Sequence, residues 1–427
     1  MADEGRPVTT VAAPPGAATR DHGLRRALAL SSSGAAGARL TGAVGGVLAA
    51  RLLGPTGRGQ LAVLVFLATA ASMAAAAGIQ FWVAREVAIR HGVGAVLRVV
   101  NRHLVVIGLL VPLLGLAATT GIEGLSSAGP AAVVATVAVA VTSAASLVLL
   151  ALPNGLRAMG VVAVGTIASG VVYVVGTALL LAAGGGSRER ALTLVLVAAV
   201  VGNVATCGIA ALWARRAPHG TDPDRAHPYT YRAALRFGWA GGAGELVLLA
   251  MLRADVLLVA AFLPLRDVGL YAVATALAEV LWIVPDGVAQ VVLPTTARRP
   301  DLARTRRLLK AATGVTAAAG LVLVVIARPL VDAVFGSAFA DATQAVPLLV
   351  VASLGGGVWK IVGAEVVARG TTRPRLTSAC AGFVVMVLVD LVAIPTLGIA
   401  GAALGSACGY AIAAVVVARA WKRGVRA

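Results

Sequence analysis

The stretch VLLAMLRADVLLVAAFL, residues 247–263, carries an arginine and an aspartate inside an otherwise apolar run. A guanidinium binds phosphate or carboxylate groups through two parallel hydrogen bonds and stays charged at any physiological pH. Inside a bilayer such a charge is costly, so it must face a wet cavity or an ion partner. Arg253 and Asp255 therefore mark a candidate site for an anionic ligand.

Two further cations, Arg39 and Lys360, lie near the middle of other long apolar stretches. Each charge at the centre of a membrane helix costs about 2.5–3.5 kcal/mol, so none of them should face lipid. Three cations on separate stretches favour a cationic cavity, and we predict that Arg39, Arg253 and Lys360 bind substrate. The alternative is internal pairing, of Arg253 with a nearby acid and of Lys360 with Glu365 or Glu279.

Acidic residues also lie within apolar stretches, where they could pair with those cations or carry a coupling proton. They are Glu245, Asp255, Glu279, Asp286, Glu365 and Asp390. Glu279 and Asp286 are seven residues apart, so they share a helix face, with Trp282 between them on the same stripe. The sequence leaves open which acid pairs with which cation.

The composition predicts an all-α polytopic membrane protein. The chain has 427 residues, of which 59% are hydrophobic, and its mean hydropathy is +0.92. Soluble domains are about 45–50% apolar, and a membrane helix needs about 20 mostly apolar residues. On that basis we predict twelve spans: 27–50, 60–84, 103–120, 130–152, 160–183, 191–213, 237–262, 269–293, 311–330, 344–367, 376–395 and 400–418.

The distribution of basic residues predicts the orientation in the membrane. The formal net charge is +18, and most of the 36 lysines and arginines fall in loops on one side when both termini are cytoplasmic. This is the positive-inside pattern of a protein of the cytoplasmic membrane. It explains the charge without nucleic acid, for which no binding module is present. The loops assigned to the outside are short, and Arg58 is placed in the first of them.

The chain divides into two six-helix lobes around a linker that contains several prolines. We predict a disordered cytoplasmic tail (1–25), an N lobe (26–213), a cytoplasmic linker (214–236), a C lobe (237–418) and a basic cytoplasmic tail (419–427). A weak repeat supports the two lobes.

The repeat aligns LLGPTGRGQLA (52–62) with FLPLRDVGLYA (262–272) at an offset of 210 residues, which places Gly59 opposite Gly269. Parallel repeats of this kind are a common plan among transporters, with the substrate bound between the two halves. The glycine-rich segment itself is predicted to form a tight turn between two helices.

Catalytic motifs are not found. The chain has no G-x-x-x-x-G-K-[ST] loop for phosphates, no Ser, His and Asp constellation, and no metal-ligand spacing around Cys207, Cys380 or Cys408. We therefore predict that the protein is not an enzyme and that it has no catalytic residues, no metal and no cofactor. Coupling to H⁺, Na⁺ or the membrane potential stays open.

Three segments carry a resemblance to a known family. They are AARLLGPTGRGQLAVL (49–64), RADVLLVAAFLPLRDVGLYAVATALAEVLWIVP (253–285) and IPTLGIAGAALGSACGYAI (394–412). Each resembles the polysaccharide transporter, or oligosaccharide flippase, family of the MOP superfamily, which also contains the MATE drug exporters and the lipid II flippases.

The resemblance implies a two-lobed transporter with about twelve helices that moves polyprenyl-diphosphate-linked oligosaccharide, a precursor of surface polysaccharide, across the cytoplasmic membrane by alternating access. Arg39, Arg253 and Lys360 would hold the diphosphate or acidic sugars. The implied partners are this lipid-linked glycan, membrane lipids and proteins of glycan assembly.

Other functions stay open at this stage. A cation-coupled multidrug exporter of the MATE type shares the architecture, although three buried cations favour an anionic cargo. A membrane enzyme of glycan assembly is disfavoured by the short, basic loops, and a non-transporting scaffold is a further alternative. A major-facilitator transporter is disfavoured because REVAIRHGVGAVLRVVNRH (85–103) lacks that family's G-x-x-x-D-R-x-G-R-R pattern.

Overall fold

The computed structural model describes residues 17–90, 93–119, 128–218, 230–298 and 301–426. Throughout these ranges the chain is helical, with short turns and no strand, which confirms the all-α fold. Residues 1–16 of the predicted tail and 219–229 of the predicted linker lie outside the described residues.

The first half of the chain forms a sequence of long helices. They are α1 (Ala17–Ala76), α2 (Ile79–Arg90), α3 (Gly94–Thr119), α4 (Pro130–Gly155), α5 (Met159–Ala182) and α6 (Arg188–Arg216). Helix α1 contains the first predicted span and most of the second, which ends in α2, and it begins within the segment predicted as a disordered tail. It bends sharply at Gly54, whose φ of 66° and ψ of 179° are not helical. Only glycine adopts such a conformation cheaply, and Pro55 then restarts the helix at once because its φ suits a first helical turn.

The second half contains the remaining helices. They are α7 (Tyr231–Phe262), α8 (Leu265–Glu279), α9 (Ile283–Arg298), α10 (Leu302–Val334), α11 (Val346–Ala368), α12 (Arg373–Leu397) and α13 (Ile399–Arg426), with 3₁₀ segments at Val280–Trp282 and Ser337–Gln344. Helix α13 runs through the predicted basic tail as far as Arg426, so that segment is helical where the structure describes it.

Ten helices among the described residues are long and apolar enough to cross a membrane. One of them is the kinked stretch Gly37–Ala76, which overlaps the first two predicted spans. Helix α7, where another span is predicted, is not among the ten, and it carries Glu245, Arg253 and Asp255 along its length. The protein is therefore a multi-pass membrane protein.

The helices pack into two lobes. In the N lobe, α1, α4, α5 and α6 pack on one another, and α2 and α3 lie against α4. In the C lobe, α13 packs against α11 and α12, with α7, α9 and α10 around them. Glycine and alanine allow the helices of such lobes to approach closely.

The lobes meet through a reciprocal glycine contact between α1 and α8. A Cβ at Gly59 would collide with the carbonyl of Leu265, and a Cβ at Gly269 would collide with the carbonyl of Pro55. Both pairs of residues are related by the predicted offset of 210, so the repeat appears in the structure as a pseudo-two-fold contact. A second glycine contact, of Gly78 against α7, joins the lobes elsewhere.

Candidate functional site

Asp286 on α9 holds two of the predicted cavity cations. Its carboxylate accepts a hydrogen bond from Nη2 of Arg39 at 2.7 Å and lies 2.9 Å from Nζ of Lys360. The ammonium of Lys360 also lies 3.9 Å from the centre of the Trp282 ring, a favourable cation–π position. The Arg39 side chain is 50% exposed, whereas those of Lys360 and Asp286 are 15% and 16% exposed.

The third predicted cation, Arg253, pairs with Glu279. The Arg253 guanidinium lies 2.8 Å from the Glu279 carboxylate, and the two side chains are 43% and 35% exposed. Both line a small pocket of about 30 Å³ on the C lobe. Trp282 and Tyr410 line the same pocket and make an edge-to-face contact, with ring centroids 5.5 Å apart.

Arg58 is a further cation of this region, and its predicted position in an outside loop is wrong. The structure places it in α1, one turn after the kink, because Pro55 restarts the helix without an intervening loop. Its guanidinium lies within electrostatic range of Arg253, Glu279 and Tyr173 of α5. Its buried Nε has no hydrogen-bond partner in the part of the chain that the structure describes.

These six residues form what we call the interlobe charge cluster: Arg39, Arg58, Arg253, Glu279, Asp286 and Lys360. Arg39 and Arg58 come from the N lobe, and the other four come from the C lobe. The cluster therefore brings together all three of the predicted substrate-binding residues. Each of those three cations is also paired with an acid. The internal pairing that the sequence offered as the alternative to a cationic cavity is therefore present among the same residues.

The pairing differs from the sequence-based alternative for Lys360. Its contact partner is Asp286, whereas Glu279 pairs with Arg253 and Glu365 lies elsewhere. Sequence spacing could not decide this, because helix rotation and tilt determine which acid on the α8–α9 stripe faces α11.

Asp255 lies beside the cluster and lines the same pocket as Arg253 and Glu279. Its carboxylate accepts hydrogen bonds from the hydroxyls of Tyr271 at 2.6 Å and Ser406 at 3.2 Å, and it is 5% exposed. Asp390 of α12 lies close enough to interact with the Asp255 charge. It is fully buried, and neither of its carboxylate oxygens has a hydrogen-bond partner among the described residues.

The other two predicted acids lie outside the cluster. Glu365 is fully buried and accepts hydrogen bonds from Thr296 and Thr305, at 2.6 and 2.9 Å, and from Arg369 of its own helix. It ties α9, α10 and α11 together inside the C lobe. Glu245 lies within electrostatic range of Arg375 on α12.

The cluster has the chemistry of an anion-binding site. An anionic ligand can compete with Glu279 and Asp286 for the cations that these carboxylates now hold. Guanidinium groups then bind phosphate in the same forked geometry. Within the described ranges no group of His, Cys, Asp and Glu residues is suited to hold a metal ion.

Two helical lobes that meet at a pseudo-two-fold contact, with a charge cluster at their interface, define a multi-pass membrane protein with a candidate anion-binding site between its halves. Residues 24–299, more than half of the chain, match the family described as polysaccharide biosynthesis protein. The chain belongs to this family, which confirms the resemblance seen in the sequence. No curated protein matches the sequence significantly.

Solved structures of transporters share the fold of this chain. The lipid II flippase MurJ in an inward closed conformation is 13% identical, with a TM-score of 0.72 over 92% of this chain and 87% of that chain. An inward-facing multidrug resistance MATE transporter is 14% identical, with a TM-score of 0.72 over 91% and 94%. A MOP transporter from Pyrococcus furiosus, whose binding pocket is described as reversed in polarity, is 14% identical, with a TM-score of 0.64 over 95% of both chains.

Proposed function

We propose that the protein is a flippase that moves polyprenyl-diphosphate-linked oligosaccharide across the cytoplasmic membrane. The observation that carries this proposal is the interlobe charge cluster, which sets four cations against two carboxylates at the junction of the lobes. An excess of positive charge at that place suits a diphosphate headgroup. Membership of a polysaccharide biosynthesis family supports a glycan cargo.

The contacts within the cluster suggest how binding is linked to movement. In the ion pair between Arg39 and Asp286, Arg39 belongs to the N lobe and Asp286 to the C lobe. Asp286 remains paired with Lys360 when Arg39 moves away. A phosphate that binds Arg39 in place of Asp286 therefore breaks one of the contacts between the lobes. The lobes can then rock about the glycine contact of α1 and α8, which exposes the cargo alternately on the two sides.

Asp255 and Asp390 are the candidate residues for ion coupling in the transport cycle. Glu279, Asp286 and Glu365 each pair with a cation, whereas Asp390 is buried beside Asp255 without a hydrogen-bond partner among the described residues. We assign the binding of a coupling H⁺ or Na⁺ to these two aspartates. We also propose that both chain termini lie in the cytoplasm, where assembly proteins of the glycan pathway would meet the transporter.

A MATE-type multidrug exporter is the second candidate, favoured by the similarity of the fold to exporters. A cationic drug needs an acid that is free to receive it. Both acids of the cluster are already engaged by cations, so this function is the weaker of the two.

The test uses cells that lack this protein but retain the later steps of polymer assembly. Lipid-linked sugars are labelled with a membrane-impermeant sugar-modifying reagent, which reports the leaflet that holds them. We expect accumulation on the inner leaflet, reversed by the wild-type protein but not by Arg253→Ala or Arg39→Ala at equal membrane levels. Arg266→Ala is the matched control, because Arg266 pairs with Asp341 outside the cluster. Normal sugar distribution with altered drug sensitivity would instead establish the exporter.

A further inference from the structure

The C-terminus of α10 is capped by an arginine of the other lobe. Helix α10 ends at Val334, and the last carbonyls of a helix have no partner within it. The two residues that follow the helix both donate to the carbonyl of Val331. The carbonyls of Ala333 and Val334 instead accept hydrogen bonds from Nη2 and Nε of Arg51, at 2.5 and 2.7 Å. Because Arg51 belongs to α1, these bonds join the N lobe to the C lobe.

The end of α10 suits a guanidinium in both charge and shape. The C-terminus of a helix carries a partial negative charge, so a nearby cation is favourable. Helix α10 has no basic residue in its own last turn, where Asp332 adds a further negative charge. A guanidinium can donate to two neighbouring carbonyls at once, whereas the ammonium of lysine is a point charge. Arg51 therefore supplies a cap that α10 does not provide for itself.

The Arg51 contact lies at the end of the lobes where α1 bends. Arg51 precedes the bend at Gly54 by three residues, slightly less than one helical turn. The turn between α5 and α6 lies beside it, because a Cβ at Gly185 would touch Leu52. The turn between α12 and α13 is at the same end as the C-terminus of α10, since α11 and α12 run back and forth across the C lobe. We call this side of the protein the bend face.

The Arg51 contact differs in kind from the glycine contact that lies next to it. At Gly59 and Gly269 two backbones pack directly on each other. Arg51 reaches α10 only through an exposed side chain. A rotation of the lobes about the glycine contact can therefore separate Arg51 from α10 while the two backbones of α1 and α8 stay packed.

We propose that Arg51 is a gating residue that holds the two lobes together on the bend face. While both hydrogen bonds are present, α1 and the end of α10 cannot move apart, and the space between the lobes stays closed on this side. When the bonds break, water replaces the carbonyls around Arg51 and the guanidinium around the helix end. The acceptors are neutral, so the separation leaves no unpaired carboxylate behind. This role concerns the movement of the lobes and is independent of the chemistry of the cargo.

The test measures the opening of the bend face by double electron–electron resonance on the full-length protein in lipid nanodiscs. Spin labels replace Ala183 and Thr396, which are exposed near the α5–α6 and α12–α13 turns, after replacement of the native cysteines. We expect Arg51→Ala to raise the ratio of long to short distances about tenfold, the factor that a hydrogen bond from a charged donor contributes. Arg51→Lys keeps the charge without the forked geometry, so its effect should be intermediate.

A second pair of labels, at Arg157 and Thr371 on the opposite face, separates gating from a general loosening of the protein. Arg51→Ala should not lengthen this distance, whereas a partly unfolded protein would show longer distances on both faces. Arg328→Ala is the matched control, because Arg328 lies near the same end of α10 and pairs with Asp332 of its own helix. Unchanged distances on the bend face in Arg51→Ala, longer distances on both faces, or equal opening in Arg328→Ala would each overturn the proposal.

Discussion

Arg39 and Asp286 join the two lobes through a contact of 2.7 Å between Nη2 and Oδ2, and Lys360 holds the same carboxylate from within the C lobe. Loss of the contact with Arg39 therefore leaves Asp286 paired. The Arg39 side chain is 50% exposed and that of Lys360 is 15% exposed, so Arg39 is the more accessible of the two partners of Asp286.

Asp286→Asn should loosen the lobes. The substitution leaves Arg39 and Lys360 near each other without their shared counter-ion, so their like charges repel. We expect longer and broader distances between spin labels at Arg157 and Thr371, which are exposed on turns of the two lobes, as measured by double electron–electron resonance after replacement of the native cysteines.

Asp332→Asn provides the matched control for this measurement. Asp332 pairs with Arg328 within one helix, so its neutralisation should leave the distances between the lobes as they are in the wild type. Unchanged distances in Asp286→Asn would show that the ion pair does not hold the lobes together.

The reciprocal glycine contact makes a prediction about stability. Gly59→Ala and Gly269→Ala each place a methyl group against a backbone carbonyl of the other lobe, which cannot move away as a side chain would. We expect each substitution to lower the free energy of unfolding by about 1–3 kcal/mol, the usual cost of overpacking. Thermal unfolding in detergent measures this change.

Gly42→Ala and Gly244→Ala are the controls for the glycine contact, because a Cβ at either position meets nothing within 4 Å. Within a helix they should be neutral or slightly stabilising, since alanine loses less backbone entropy than glycine on folding. Destabilisation by only one of Gly59→Ala and Gly269→Ala would contradict the pseudo-two-fold relation of the contact.

The sequence was sufficient to predict the helical class and the residues that carry the charge inside the membrane. Apolar stretches of the right length define helices by themselves, and the cost of a charge in lipid implies that Arg39, Arg253 and Lys360 face inward. The structure confirms the helical class and brings these three cations together with Glu279 and Asp286.

The sequence did not reveal that Arg58 lies in a helix near the other cations, nor which acids pair with those cations. Arg58 lies in a segment rich in glycine and proline, which is typical of a loop, but the turn is confined to Gly54 and the helix restarts at Pro55. The pattern Gly-Pro, read as a C-terminal glycine followed by a first-turn proline, would have indicated two abutting helices. The partners depend on helix tilt and rotation, which a single sequence does not specify.

Glu365 illustrates an acid of a membrane helix whose contacts lie within the C lobe and not in the interlobe charge cluster. Its carboxylate accepts hydrogen bonds from Thr296 and Thr305 and pairs with Arg369, and the residue is fully buried. A buried carboxylate with this many donors holds three helices in place. It has no access to a cargo in the interlobe charge cluster.

Glu365→Gln should therefore lower stability and leave the transport rate per folded molecule unchanged. We expect a loss of about 1–3 kcal/mol in the free energy of unfolding, because the amide leaves donors of Thr296, Thr305 or Arg369 without a charged acceptor. Asp332→Asn breaks an ion pair of the same i,i+4 spacing at an exposed position and should cost no more than about 0–1 kcal/mol. Thermal unfolding and the leaflet assay, normalised to folded protein, measure both quantities. Equal stability losses would show that burial does not strengthen the Glu365 contacts, and lost transport with unchanged stability would assign Glu365 to the transport cycle.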